Sequence, residues 1–67
     1  MKAIIVKFAP STYSVKTEVK CYWCRRQFWP SVEKIKEEFK DCVFYEDVIE
    51  ASWLRTHHTK ELFNNWK

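Results

Sequence analysis

The chain of 67 residues contains no glycine at all. Phosphate-cradling loops and dinucleotide fingerprints are built on glycine, whose missing Cβ admits left-handed backbone and close approach of a ligand, so both are excluded. Nucleotide hydrolysis is not expected. Proline occurs twice and methionine once, and no apolar run approaches the roughly 20 residues that a membrane-spanning helix requires. Lys7 interrupts the apolar stretch of "MKAIIVKFAP", which makes it a poor secretory signal. The expectation is a cytoplasmic protein (the host's cytoplasm if the chain is virus-encoded) with no membrane partner.

Cysteine is scarce and odd in number, three in all, which points to reduced thiols rather than a disulfide framework. What is abundant is aromatic: four Trp, three Tyr and five Phe, in a chain that is 46% hydrophobic and 31% charged. That is a folding composition and not a disordered one. One small core of this kind supplies roughly 3–5 kcal/mol, and twelve aromatics are too many for it to bury completely. The net charge of +3 conceals a polarity along the chain: residues 1–36 carry eight Lys or Arg against two Glu, and residues 37–67 four against seven acids. Such a layout orients a protein on a charged partner without naming it.

Ile4, Val6 and Phe8 form one apolar row of a first strand, and "APST" is a turn. From Tyr13 to Trp23 the odd positions read Tyr, Val, Thr, Val, Cys, Trp and the even ones Ser, Lys, Glu, Lys, Tyr, the strongest periodic signal in the chain. It predicts a second strand carrying Cys21 and Trp23 inward and Tyr22 and Cys24 outward. Past Pro30, Val32, Ile35, Phe39 and Cys42 recur at helical spacing behind Ser31 as N-cap, so residues 31–41 are expected to be helical. Cys42 to Tyr45 has strand composition. Val48 to Leu54 fits a further strand, or a helix capped by Asp47. "THHTKELFNNWK" reads as a helix capped by Thr56 or Thr59, with Leu62, Phe63 and Trp66 on one face. The expected architecture is a single small α+β domain, a β-hairpin sheet packed against one or two helices in the order β-β-α-β-β-α; the alternative, β-β-α-β-α, ends in one long helix.

Cys21, Cys24 and Phe28 followed by a helix resemble half of a two-Cys two-His zinc finger, over about a third of the chain. The resemblance implies zinc held by Cys21, Cys24, Glu38 and Cys42, with Glu38 and Cys42 standing where the two His belong; a structural zinc supplies about 10–16 kcal/mol of binding energy. Against it, the strand alternation places Cys21 and Cys24 on opposite faces, where they cannot share an ion. The expected cofactor is therefore none, with zinc as the alternative. Thioredoxin-like redox chemistry needs the first Cys at a helix N-terminus, and here a helix is expected only from Ser31. The adjacent His57 and His58 point about 100° apart on a helix and do not converge. The acids Glu37, Glu38, Asp41, Glu46, Asp47 and Glu50 read as a solvated face and turn.

Two functional readings follow. Trp, Tyr and Arg most often carry interface energy, so Tyr22, Trp23, Arg25, Arg26, Phe28 and Trp29 are the expected contact surface for another protein or protein complex, or for a second copy in a homodimer. Size without catalytic parts suggests a non-enzymatic, stoichiometric inhibitor or regulator, of the type phages and mobile elements direct against a host polymerase or a nucleic-acid-targeting defence complex. No triad is recognisable, and little volume is expected for a small-molecule pocket of roughly 300–1,000 Å3. The alternative is a small nucleic-acid-binding protein. There Lys16, Lys20, Tyr22 and Arg26 would share the polar face of the second strand, with Lys16, Lys20, Arg25 and Arg26 meeting phosphates.

Overall fold

A computed structural model describes residues 1–65. Its elements are β1 (Lys2–Ala9), β2 (Thr12–Thr17), α1 (Val32–Glu38), β3 (Val43–Phe44), β4 (Ile49–Glu50), α2 (Ala51–Leu54) and α3 (Thr59–Asn65). This is a small α+β domain around a four-stranded sheet. Strand β1 lies at its centre. It pairs antiparallel with β2 from Ala3↔Thr17 to Ala9↔Thr12, and its other edge takes β3 and β4 in parallel, at Lys2–Ala3 and Val6–Lys7 respectively.

A strand with parallel neighbours is covered on both faces, and its sequence is then continuously apolar rather than alternating. "AIIV" in β1 behaves in this way: Ala3, Ile4, Ile5 and Val6 are all buried. The single apolar row expected of this strand is thus one of two. On one face Ala3, Ile5 and Val15 meet Ile35 of α1, with Tyr13, Tyr22, Trp29, Val32, Phe39, Cys42 and Phe44 packed around them. The opposite face carries Ile4, Val6 and Ser14, and α2 packs on β1 and β4. Ser14, expected to point to solvent, is fully buried; its hydroxyl is satisfied by donating to the Gln27 carbonyl at 2.8 Å.

Ser31 caps α1 as its residue type predicts, its Oγ accepting from the Lys34 N–H at 3.3 Å. The helix ends at Glu38, earlier than residue 41. Val43–Phe44 lies inside the strand expected from Cys42 to Tyr45. The strand expected over Val48 to Leu54 is confined to Ile49–Glu50, after which the chain turns into α2. Its pairing with β1 ends at Lys7↔Glu50, and α2 begins at the next residue. Nor is there one long C-terminal helix, because α2 and α3 are separate. Between them His57 stacks on Trp53 at 3.8 Å, and its Nδ1 lies 2.8 Å from the Thr56 hydroxyl. Leu62 and Phe63 fall on α3 as expected, and Trp66 lies outside the described residues.

Candidate binding loop

The decisive local event is that β2 stops at Thr17 instead of running to Trp23. The Thr17 hydroxyl accepts from the Lys20 N–H at 3.0 Å, and the Thr17 N–H donates to the Lys20 carbonyl at 2.8 Å. A threonine that bonds its own backbone in this way closes a turn over Glu18 and Val19. The chain then returns along the outer edge of β2, with Lys16 opposite Cys21 and the Tyr22 N–H donating to the Val15 carbonyl at 2.9 Å.

A two-residue turn inverts the parity of the alternation, because residues facing one another across an antiparallel pair share a face. Tyr22 therefore joins Val15 on the core side, while Cys21 joins Lys16 on the other. The expected directions are reversed for this reason. Tyr22 packs edge-on against Trp29 and Phe39 with ring centroids 5.8 and 5.1 Å away, and Trp29 closes the triangle with Phe39 at 5.5 Å. The Trp29 indole N–H donates to Glu38 at 2.7 Å. Trp23 faces the other way and meets Phe8 at 6.1 Å, with Phe28 edge-on to the same ring at 5.4 Å.

Residues Tyr22 to Gln27 make a single helical turn. The Arg25 N–H bonds the Tyr22 carbonyl, the Arg26 N–H the Trp23 carbonyl, and the Gln27 N–H reaches back to Tyr22 at 3.0 Å. This is the pattern of a Schellman ending, in which the residue after the turn adopts the left-handed conformation usually given to glycine. In a chain without glycine that residue is Arg26, with φ of 58°. An L-residue with a Cβ holds this conformation at a cost of roughly 1–2 kcal/mol. The turn brings Cys21 and Cys24 to a Cα separation of 5.4 Å and joins them in a disulfide, leaving Cys42 as the free thiol. The expectations of three reduced cysteines and of Cys21 and Cys24 on opposite faces are both overturned. Parity read along an uninterrupted strand could not anticipate the turn.

In the chain-entropy picture, a bridge closing so short a loop contributes about 2 kcal/mol. Urea unfolding with and without a thiol reductant should therefore differ by about this amount, with the cooperative transition retained. Complete unfolding on reduction would show that the backbone hydrogen bonds of the turn do not hold it.

The six residues expected at a contact surface thus separate by role. Tyr22 and Trp29 are half-buried and anchor the loop to α1, whereas Trp23, Arg25, Arg26 and Phe28 are carried at the surface, the two arginines and Phe28 exposed. Phe8 joins them with 41% of its surface exposed. Sequence reasoning placed it in the core row of β1, and its position at the strand's far end was the available signal. The cations expected to meet nucleic acid do not share one sheet face. Lys16 is on β2, Lys20 closes the turn, and Arg25 and Arg26 follow the helical turn. Of the residues considered for zinc, Cys21 and Cys24 are bonded to each other, Glu38 accepts from Trp29, and Cys42 packs against the core. Among the described residues no three His, Cys, Asp or Glu side chains gather as a metal site, and no helix is long and apolar enough to cross a membrane. Neither a protein family, nor a curated protein, nor a solved structure matches the chain.

Proposed function

We propose that the protein is a non-enzymatic binding module whose loop from Cys21 to Phe28 docks on another protein. The observation that carries this reading is the aromatic group of exposed Phe8 and Phe28 around half-buried Trp23, beside Arg25 and Arg26, with Trp23 and Phe28 carried on a loop fixed three ways, by the Tyr22 anchor, the disulfide and the Schellman turn. Aromatic and arginine side chains supply most interface energy, and a loop already ordered before binding loses less entropy when it docks. The left-handed Arg26 supports the same reading, because backbone strain retained at an exposed position is a mark of functional loops. Combined with the small size of the domain, this favours a stoichiometric inhibitor or regulator of the phage or mobile-element type, directed at a host polymerase or a nucleic-acid-targeting defence complex.

Affinity capture with the tagged protein tests it. The double substitution Trp23→Ser with Phe28→Ser is expected to abolish capture of a defined partner, and Arg25→Glu with Arg26→Glu to weaken it at least ten-fold, about 1.4 kcal/mol, with unchanged circular dichroism. Retention of the partner by the first variant refutes the assignment of this loop.

A further inference from the structure

On the sheet face opposite α1, away from the aromatic triangle, lies a cleft of about 530 Å3 lined by Lys2, Lys16, Glu18, Lys60, Phe63 and Asn64. Its volume falls within the roughly 300–1,000 Å3 of small-molecule sites, contrary to the expectation of little pocket volume. Its construction follows from the register. Lys16 pairs with Ile4 across β1 and β2, so Lys16, Ile4 and Lys2 share one face. Glu18 closes the end of this row, its carboxylate accepting the Lys2 backbone N–H at 2.9 Å. Helix α3 forms the facing wall with Lys60, Phe63 and Asn64.

Three ammonium groups against one carboxylate give the lining a net charge of +2. That carboxylate also accepts the Lys2 backbone N–H, and the excess of ammonium over carboxylate among these side chains makes the cleft positive. Beside them stand one aromatic ring and one side-chain amide able both to donate and to accept. Lysine binds phosphate as a compact point charge, and a nucleobase is recognised by stacking on an aromatic ring and by hydrogen bonds to its edge. We propose that this cleft binds a nucleoside monophosphate unit, free or as part of a strand, with the phosphate toward Lys2, Lys16 and Lys60 and the base toward Phe63 and Asn64. The cation set differs from the one the sequence suggested, sharing with it only Lys16. It is independent of the loop of Trp23 and Phe28.

Amide chemical shifts of nitrogen-labelled protein, followed at low salt during separate titrations with adenosine monophosphate, adenosine, inorganic phosphate and an oligothymidylate, test the proposal. Adenosine monophosphate should bind more tightly than adenosine or phosphate, shifting Lys2, Lys16, Glu18 and Lys60 to Asn64 and leaving Tyr22 to Phe28 in place. Lys60→Gln, on an exposed side chain, should weaken it about five-fold, the upper range for one solvent-exposed charge pair. Phe63→Leu should remove the advantage of adenosine monophosphate over phosphate. The double substitution Trp23→Ser with Phe28→Ser should leave the affinity unchanged, which separates this site from the docking loop. Tighter binding of the oligothymidylate at equal phosphate concentration assigns the unit to a strand, and the reverse order assigns it to a free nucleotide. Equal affinity for adenosine and its monophosphate, or shifts confined to the loop, overturns the proposal.

Discussion

Ile35→Ala is expected to destabilise the fold by about 3 kcal/mol, a loss that leaves a substantial unfolded population at physiological temperature. Ile35 is fully buried, the one buried residue of α1, and belongs to the core cluster of Ala3, Ile5 and Val15, with Val32 partly buried beside it. Alanine is a better helix former than isoleucine, so the propensity of α1 works against the effect and the measured cost belongs to packing. The size of the consequence follows from the size of the domain. A single core of this length supplies roughly 3–5 kcal/mol, so the deletion of three carbon atoms at its centre removes most of the margin. Urea titration followed by circular dichroism measures it. Ile35→Val, which keeps the β-branched shape, should cost about 1 kcal/mol, and Lys36→Ala on the exposed side of the helix should lie within about 0.5 kcal/mol of the parent. If Ile35→Ala costs less than about 1 kcal/mol, α1 does not hold this core together.

Tyr22→Ala is expected to cost about 2–3 kcal/mol and to disable the docking loop as well. The ring is half-buried, which puts the loss below that of a fully enclosed aromatic, but it makes two of the three edge-on contacts in the triangle with Trp29 and Phe39. It is also the point at which the chain from Cys21 to Phe28 is tied to the core: the Tyr22 N–H bonds β2, and its carbonyl accepts from both Arg25 and Gln27. With the anchor gone, Trp23 and Phe28 are displayed on a loosened segment, and binding has to supply the ordering entropy. Partner affinity should fall although Tyr22 touches no partner, while Tyr22→Phe, which keeps the ring, should leave stability within about 1 kcal/mol and binding intact. Thermal unfolding and affinity capture, read side by side on the two variants, separate anchor from contact. Full affinity in a folded Tyr22→Ala protein would show that the loop is ordered by the disulfide and its own turn alone.

Much of the framework was legible because it rests on local rules. The Ser31 cap, the spacing of Val32, Ile35 and Phe39 and the turn at "APST" each act within a few residues and are realised, and of the apolar row read in β1, Ile4 and Val6 are buried. The contact loop was legible in composition and not in direction. Arg25, Arg26 and Phe28 are exposed, and Trp23, whose strand parity pointed it inward, is half-buried beside Phe8; Tyr22 and Trp29 became the scaffold beneath them, and Phe8 was recruited from a strand end more than ten positions away.

What the sequence determined by itself is therefore an α+β domain with no glycine-based nucleotide loop, an N-capped helix over an apolar sheet, and an aromatic-arginine segment between them. What only the tertiary structure decided is which way that segment faces. The alternation from Tyr13 to Trp23 looks the same whether the chain runs straight or folds back over Glu18 and Val19, because period and parity are separate properties and a two-residue turn changes only the second. The side chain of Thr17, bonding Lys20, chose the turn. That choice sent Tyr22 to the core, joined Cys21 to Cys24, placed Arg26 in the left-handed region and left Lys16 to face Lys60 across a cleft that no spacing in the sequence marks.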